Sequence, residues 1–154
     1  MSIIANWSYP TALRFGAGRI SEIAEACAAA GIKKPLLITD RSLATMEITT
    51  HTLDLLEAAG LGRALFADVD PNPNEKNAAA GVAAFKEGGH DGVVAFGGGS
   101  GLDLGKLVAF LGPDAIGFCF HQNQLIFYAN AVVFSRNDTL FSQAKILIYY
   151  ESHL

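Results

Sequence analysis

The chain has 154 residues, 51% of them hydrophobic and 17% charged, and its net charge is −4. This length suits one domain with a sizeable core, and the composition argues against a disordered chain. The negative balance argues against a nucleic-acid-binding protein, because such proteins present positive charge to phosphates. Cys27 and Cys119 form no CxxC pair or disulfide framework, and the N-terminus lacks the basic start and apolar core of a signal peptide. We therefore expect a cytoplasmic protein.

Strands and helices are predicted to alternate along the first two thirds of the chain. Apolar runs predict strands over residues 9–15, 35–39, 63–69 and 93–96. Helical spacing and end signals predict helices over residues 19–30, 50–59 and 75–87, with a fourth after residue 100. This alternation predicts an α/β fold with a parallel sheet and helices on both of its faces.

The carboxyl ends of two predicted strands carry polar residues that could contact a ligand. Asp40 directly follows the run PLLIT, and its carboxylate could accept hydrogen bonds from the hydroxyls of an adenosine ribose and repel a 2′-phosphate. It could equally cap the next helix, and the residues leave both interpretations open. Asn72 lies between Pro71 and Pro73, which fix the backbone, so this loop is either a rigid turn or a ligand contact.

A glycine turn follows the last of these strands, in the run VVAFGGGSGLDLGK over residues 93–106. Ser100 is predicted to cap the following helix, with Asp103 completing a capping box. A strand, a glycine turn and a helix start together favour phosphate binding. The turn is not a P-loop, which would need glycine at position 100 and serine or threonine at 107, and no G-x-G-x-x-G register fits.

The run GGGSGLDLGK resembles the GGGSxxDxxK motif of the iron-containing (group III) alcohol dehydrogenases. Three other segments agree in order: RFGAGRISEI with the N-terminal strand-turn-helix, LLITDRSL with the second strand and its acidic end, and DVDPNPN with the PNP loop. The resemblance covers roughly residues 7–110. It implies a Rossmann-like domain that binds NAD.

The resemblance also implies roles for individual residues. Gly98, Gly99, Ser100 and Gly101 would hold the cofactor pyrophosphate. Asp40 would bind the adenosine ribose and favour NAD over NADP. Asn72 would lie near the nicotinamide-side ribose or the phosphates, and Asp103 would meet the nicotinamide end. For Asp103, the alternative from the residues alone is capping plus an ion pair with Lys106 one turn on.

No catalytic or metal-binding residue is predicted in this chain. The family holds Fe²⁺ or Zn²⁺ with one Asp and three His in a helical C-terminal domain, and its threonine-rich loop after the GGGS helix is also missing here. His51, His90, His121 and His153 show no metal-ligand spacing. The implied reaction of intact relatives is the NAD-dependent oxidation of a small alcohol to an aldehyde or ketone, and a homo-oligomer stays open.

Residues 113–154 depart from the preceding pattern, so we expect an NAD-binding domain at 1–112 and a divergent tail at 113–154. The tail holds eight of the fifteen aromatic residues and one glycine, with strands considered over 127–134 and 146–150. The abrupt change suggests truncation or a frameshift. Residues 115–135 carry no charged side chain, but the polar HQNQ at 121–124 argues against a membrane span.

Three readings of function remain from the sequence. The first is the cofactor-binding part of an iron-containing alcohol dehydrogenase. Within enzymes, the related maleylacetate reductases and polyol dehydrogenases share the N-terminal pattern. From another class, the chain could be a non-catalytic nucleotide-binding or interaction module, with its aromatic tail against a partner.

Overall fold

The computed structural model describes residues 5–8, 12–15, 17–112, 116–121 and 124–128. The elements in these ranges are β1 (Ala5–Ser8), β2 (Ala12–Phe15), a 3₁₀ turn (Arg19–Glu22), α1 (Ile23–Ala29), β3 (Pro35–Ile38), α2 (Glu47–Ala58), β4 (Leu65–Phe66), α3 (Glu75–Glu87), β5 (Gly92–Phe96), α4 (Gly99–Leu111), β6 (Ile116–His121) and β7 (Gln124–Tyr128). Among the residues described, no helix is both long and apolar enough to cross a membrane.

The main sheet has five strands in the order β4-β3-β5-β6-β7. Strands β4, β3, β5 and β6 run parallel, whereas β7 pairs antiparallel with β6 at one edge. The parallel sheet predicted from the strand-helix alternation is therefore confirmed. β1 and β2 form a separate antiparallel pair, so the strand predicted over 9–15, whose described part is β2, is not a strand of the parallel sheet as the alternation predicted; β1 was not predicted.

Helices cover both faces of this sheet, as predicted. Leu37, Val94 and Phe96 pack on one side with α1 and α2. Leu36 and Val93 pack on the other side with α3 and α4. Because β3 and β5 are covered on both faces, they need apolar side chains at every position, and this is why both strands are continuous apolar runs.

Helix α3 has the predicted bounds and the predicted cap. The Asn74 side chain accepts hydrogen bonds from the amides of Lys76 and Asn77, and the Asn77 side chain accepts one from the Asn74 amide. This reciprocal arrangement satisfies amides that would otherwise be unpaired at the helix start. It fixes the point at which the preceding loop ends.

Several predicted elements have different bounds in the structure. The helix predicted over 19–30 is a 3₁₀ turn (Arg19–Glu22) followed by α1 (Ile23–Ala29). The strand predicted over 63–69 is reduced to Leu65–Phe66, because the Val69 amide bonds to the Ala67 carbonyl and this tight turn takes residues 67–70 out of the sheet. The helix predicted from residue 50 begins at Glu47, since the amides of Thr49 and Thr50 already bond to the Met46 carbonyl.

The region after residue 112 contributes strands that were not predicted. β6 pairs along its length with β5, from Gly92–Ile116 to Phe96–Phe120. The first two residues of the strand considered over 127–134 belong to β7, whereas residues 129–134 and the strand considered over 146–150 lie outside the described residues. The domain boundary at 112 stays a prediction, although the sheet continues beyond it.

Candidate functional site

The candidate residues border a crevice at the carboxyl edge of the sheet. From β3 the chain passes outward to β4, whereas from β5 it passes to β6 on the opposite side. β3 and β5 are themselves neighbours, with Ile38 paired to Ala95. Ligands of open α/β sheets bind where the winding direction changes in this way. Asp40 follows β3 and the glycine turn follows β5, so the two candidates meet at this crevice.

Glycines 97 and 101 allow the turn to approach the loop after β3. Gly97 has a φ of 120°, and a Cβ atom there would lie 2.5 Å from Leu43 Cδ1 and 3.3 Å from Asp40 Oδ2. A Cβ atom on Gly101 would lie 2.9 Å from the Phe96 carbonyl oxygen. Side chains at these two positions would therefore push apart β5, α4 and the Asp40 loop.

Glycines 98 and 99 instead face open space. A Cβ atom on either residue would meet no heavy atom of the described residues within 4 Å. Helix α4 begins here, with Gly98 as its N-cap and Gly99 as its first residue. The first amides of a helix have no carbonyl to bond within the helix, and the helix dipole favours an anion at this end. The turn therefore combines open backbone with a helix N-terminus.

The predicted capping box of Ser100 and Asp103 is wrong. Gly98, in an extended conformation, takes the N-cap position, so Ser100 lies inside the first turn of α4. Its hydroxyl donates a hydrogen bond of 2.5 Å to the Pro71 carbonyl oxygen. Ser100 therefore joins the start of α4 to the PNP loop and does not cap its own helix.

Asp103 is not brought into contact with the other candidate residues. Lys106 Nζ lies 3.2 Å from Asp103 Oδ1, one helical turn away, and the Asp103 side chain is 67% exposed. The ion pair considered as the structural alternative is therefore present, but the capping role that accompanied it is not. Such an exposed pair is worth at most about 1 kcal/mol and exchanges partners easily.

The two carboxylate oxygens of Asp40 have different surroundings. Oδ1 accepts hydrogen bonds of 3.0 Å from the amides of Ser42 and Leu43, and one from the Ser42 hydroxyl. Oδ2 lies beside Gly97 and accepts no hydrogen bond from a described residue. Helix α2 has Met46 as its N-cap, so Asp40 stabilises the turn after β3 and not the next helix. Its second oxygen remains available to a ligand.

The PNP loop is anchored around an exposed Asn72. The Asn77 side chain is buried and its Nδ2 donates a hydrogen bond of 3.1 Å to the Asp68 carbonyl oxygen, which holds the loop near its start. The bond from Ser100 holds it at Pro71. The backbone on either side of Asn72 is thus fixed, and its side chain is left at the surface beside the crevice.

Sequence reasoning overlooked two residues at this edge, Thr39 and Arg41. Thr39 is fully buried, and its hydroxyl has no hydrogen-bond partner among the described residues. The hydroxyl lies 3.4 Å from where a Cβ atom of Gly97 would stand. The available signal was a polar residue ending the apolar run PLLIT. Arg41 extends to the PNP loop, where it contacts Asp68 and Asp70.

The described residues offer polar groups to a ligand but no cluster that could hold a metal ion. The open backbone of the glycine turn and the second oxygen of Asp40, which accepts no hydrogen bond from a described residue, are such groups, whereas the Thr39 hydroxyl is buried beside them. By contrast, within the described ranges no three His, Cys, Asp or Glu residues lie together as a metal site needs. His153 and the side chain of His121 lie outside the described residues.

The sequence model for iron-containing alcohol dehydrogenases matches residues 10–131 of this chain. A 4-hydroxybutyrate dehydrogenase of Cupriavidus necator is 33% identical over 121 residues, which is 79% of this chain and 29% of that protein. The match to the family thus extends beyond residue 110, where the resemblance of the motifs ends.

Solved structures agree with these sequence matches. A 1,3-propanediol oxidoreductase superposes with a TM-score of 0.62 at 35% identity, over 71% of this chain and 28% of the other. A sulfoacetaldehyde reductase from Bifidobacterium kashiwanohense, solved in complex with NAD⁺, superposes with a TM-score of 0.59 at 27% identity, over the same shares. The chain spans less than a third of the length of these relatives. It belongs to the iron-containing alcohol dehydrogenase family and carries a Rossmann-like fold.

Proposed function

We propose that this chain forms the NAD-binding part of a metal-containing alcohol dehydrogenase. The observation that carries the proposal is the convergence of three strand-end loops on one crevice. The turn after β3 supplies a free carboxylate oxygen at Asp40, the loop after β4 supplies Asn72, and the turn after β5 supplies open backbone at Gly98 and Gly99. Parallel strands with such ends are the usual support for a dinucleotide.

In this proposal each candidate residue has one role toward the cofactor. Gly98, Gly99, Ser100 and Gly101 hold the pyrophosphate through the amides of the turn and of the first helical residues. Asp40 Oδ2 accepts hydrogen bonds from the adenosine ribose, while Oδ1 keeps the carboxylate in place through Ser42 and Leu43.

The remaining two candidates belong to the nicotinamide side. Asn72 offers an amide to the ribose or phosphates there, from a loop that two prolines and the Ser100 bond hold in place. Asp103 reaches the nicotinamide end by exchanging its ion pair with Lys106 for a hydroxyl or amide donor. A bound NAD would supply, at its nicotinamide C4, the hydride acceptor that the oxidation of an alcohol to a carbonyl needs, with the hydroxyl proton released to solvent.

The substrate class that we propose is a small alcohol or its aldehyde. The relatives named above act, by their names, on 4-hydroxybutyrate, 1,3-propanediol and sulfoacetaldehyde. NAD is proposed over NADP because Asp40 places negative charge where a 2′-phosphate would bind. The metal of the family needs ligands that the described residues of this chain do not bring together. We also propose a cytoplasmic location.

Titration of the purified chain with NAD by calorimetry tests the cofactor proposal. We expect saturable binding of NAD, and its absence at millimolar NAD would contradict the proposal. A second assay measures NADH formation from short alcohols, with and without Fe²⁺ or Zn²⁺. Metal-dependent NADH formation would establish an active dehydrogenase. Binding without turnover would favour the alternative of a non-catalytic nucleotide-binding module.

A further inference from the structure

The Arg41 guanidinium lies between two carboxylates of the loop after β4. Its Nη1 lies 3.0 Å from Asp70 Oδ1, and its Nη2 is hydrogen-bonded to Asp68 Oδ1. Both terminal nitrogens are therefore engaged, although the three side chains are between 38% and 61% exposed. The contacts join the loops that follow two neighbouring strands, β3 and β4.

This engagement matters because Arg41 directly follows Asp40. In dinucleotide-binding sheets an acidic residue at this place binds the ribose hydroxyls of NAD, whereas a nearby arginine accommodates the 2′-phosphate of NADP. The pair Asp40-Arg41 therefore carries signals for both cofactors. The structure distinguishes the two residues. Asp40 Oδ2 accepts no hydrogen bond from a described residue, whereas the Arg41 guanidinium is paired with Asp68 and Asp70.

We propose that Asp68 and Asp70 determine cofactor specificity by holding Arg41 away from the position of a 2′-phosphate. The inference rests on the proposed NAD site and deepens it. In the wild-type chain the PNP loop neutralises the guanidinium of Arg41, which directly follows the proposed ribose-binding Asp40. A 2′-phosphate would meet Asp40 without a compensating guanidinium, and NADP would bind weakly.

Charge alone could produce a similar preference, and the two causes can be separated. Asp40, Asp68 and Asp70 carry three negative charges against the single positive charge of Arg41. Replacing Asp68 and Asp70 by asparagine releases Arg41 and also removes two negative charges. A gain in NADP affinity from the release of Arg41 requires the arginine, whereas a gain from the lost negative charges does not. Removing Arg41 in addition therefore distinguishes the two causes.

The test measures the Kd of NAD and NADP by calorimetry for four variants of the chain. In D68N/D70N we expect the Kd of NADP to fall about tenfold, the size of one charge-assisted hydrogen bond. The Kd of NAD should change by less than about twofold, because exposed charges at the edge of a binding site contribute little to affinity. In D68N/D70N/R41Q the gain for NADP should disappear, and R41Q alone should leave the Kd of NADP near that of wild type.

Arg63 provides a matched control, because its Nη1 contacts two exposed carboxylates, those of Asp54 and Glu57. The variant D54N/E57Q also removes two negative charges, but away from Arg41, and should leave the Kd of NADP unchanged. A gain in NADP affinity that persists in D68N/D70N/R41Q would overturn the inference, and so would the absence of a gain in D68N/D70N. In either case, NAD binding by the wild-type chain would still support the cofactor proposal. Absence of NAD binding in wild type would overturn both. If D68N/D70N fails to fold, D68N and D70N are measured separately, because each frees one terminal nitrogen of Arg41; no fall in the Kd of NADP in either variant would then overturn the inference.

Discussion

Gly99 and Gly101 lie two residues apart in the first turn of α4, yet an added methyl group meets different surroundings at each. At position 99 the new Cβ atom would meet no described heavy atom within 4 Å, whereas at position 101 it would lie 2.9 Å from the Phe96 carbonyl oxygen. Position 99 therefore has room for a side chain or a ligand, whereas packing against β5 leaves no room for a side chain at position 101. The two residues can be tested against each other.

We expect Gly99→Ala to keep or raise stability and to weaken NAD binding. Alanine in a helix is favoured over glycine by about 0.5–1 kcal/mol, and the new methyl group would occupy space proposed for the pyrophosphate. Gly101→Ala should instead lower stability by about 1–3 kcal/mol, the usual cost of overpacking. Chemical unfolding and calorimetry measure both quantities. Unchanged NAD affinity in a folded Gly99→Ala chain would contradict the phosphate role of the turn.

Asp40 can be tested by exchanging its carboxylate for a hydroxyl. Asp40→Ser should weaken NAD binding by about 1.5–3 kcal/mol, the value of a hydrogen bond to a charged group, and should improve the binding of NADP. Asp91→Ser is the control, because Asp91 accepts bonds of 2.9 and 2.7 Å from the amides of Lys33 and Lys34 at the opposite edge of the sheet. Both variants lose a turn cap. An unchanged preference between NAD and NADP in Asp40→Ser would limit Asp40 to its structural role.

At the scale of elements, the Ser100 hydroxyl connects helix α4 to the PNP loop. Ser100→Ala removes this bond, and we expect stability to fall by about 1 kcal/mol. Because the loop is then released at Pro71, NAD should also bind more weakly and the amides of the loop should exchange faster with deuterium. Ser21→Ala is a matched control, since the Ser21 hydroxyl bonds to the Gly18 carbonyl oxygen at 2.9 Å. Equal NAD affinity in the two variants would argue against a positioning role for Ser100.

The 3₁₀ turn is linked to β2 by ion pairs around Glu22. Hydrogen bonding by Arg19, together with Arg14, lowers the pKa of Glu22 below its usual value of 4.5 despite some desolvation. Arg14 Nη1 lies 2.8 Å from Glu22 Oε2, and Arg19 Nε lies 2.6 Å from Oε1. The lowered pKa means that Glu22 stabilises the fold fully above pH 4.5, and that this contribution is lost as the pH falls through the lowered value.

We expect Glu22→Gln to lower the free energy of unfolding by about 1 kcal/mol at pH 7 and to leave stability less dependent on pH below 4.5. Denaturant unfolding between pH 3 and pH 7, in buffers matched for about 0.1 M salt, measures the difference. Glu25→Gln is the comparison, because Glu25 contacts the same Arg14 but is 69% exposed. Parallel pH profiles for wild type and Glu22→Gln would contradict the role of Glu22.

The elements also show what could be predicted from the sequence. The buried strands β3 and β5 and helix α3 follow from continuous apolar runs and from the Asn74 cap, which are local signals. The short β4 and the N-cap of α4 could not be read in the same way. β4 ends early because residues 67–70 form a turn, and Ser100 bonds to a carbonyl 29 residues away. Such contacts depend on which strands become neighbours, and the order of strands is not a local property.

The same limit applies to the candidate site. The glycine turn, Asp40 and Asn72 could be placed at strand ends from turn chemistry alone. Two features could not be predicted in this way: the different surroundings of the two Asp40 oxygens and the ion pairs of Arg41. Both depend on contacts between loops that follow different strands. Residues that join loops are missed when each loop is analysed by itself.

At the scale of the whole molecule, Cys27 reports on the integrity of the core between α1, α2 and the sheet. It is fully buried, and burial raises the pKa of its thiol to about 12. In a Cys119→Ser background we expect a thiol reagent to label Cys27 only at the rate of unfolding, and to label it faster in denaturant. Rapid labelling of the native chain would show that this part of the fold opens locally.

The pairing of β3 with β5 across an intervening helix, strand and helix has a consequence for synthesis on the ribosome. Lys34 and Asp91 meet 57 residues apart in the chain, and the crevice between the two strands exists only after β5 has joined β3. Contacts this distant in sequence form late, because a long segment must be ordered before they can close. A nascent chain that ends before α4 contains Asp40 and the PNP loop but lacks the complete glycine turn. Cofactor binding during translation would therefore mark the moment at which the two halves of the sheet have closed.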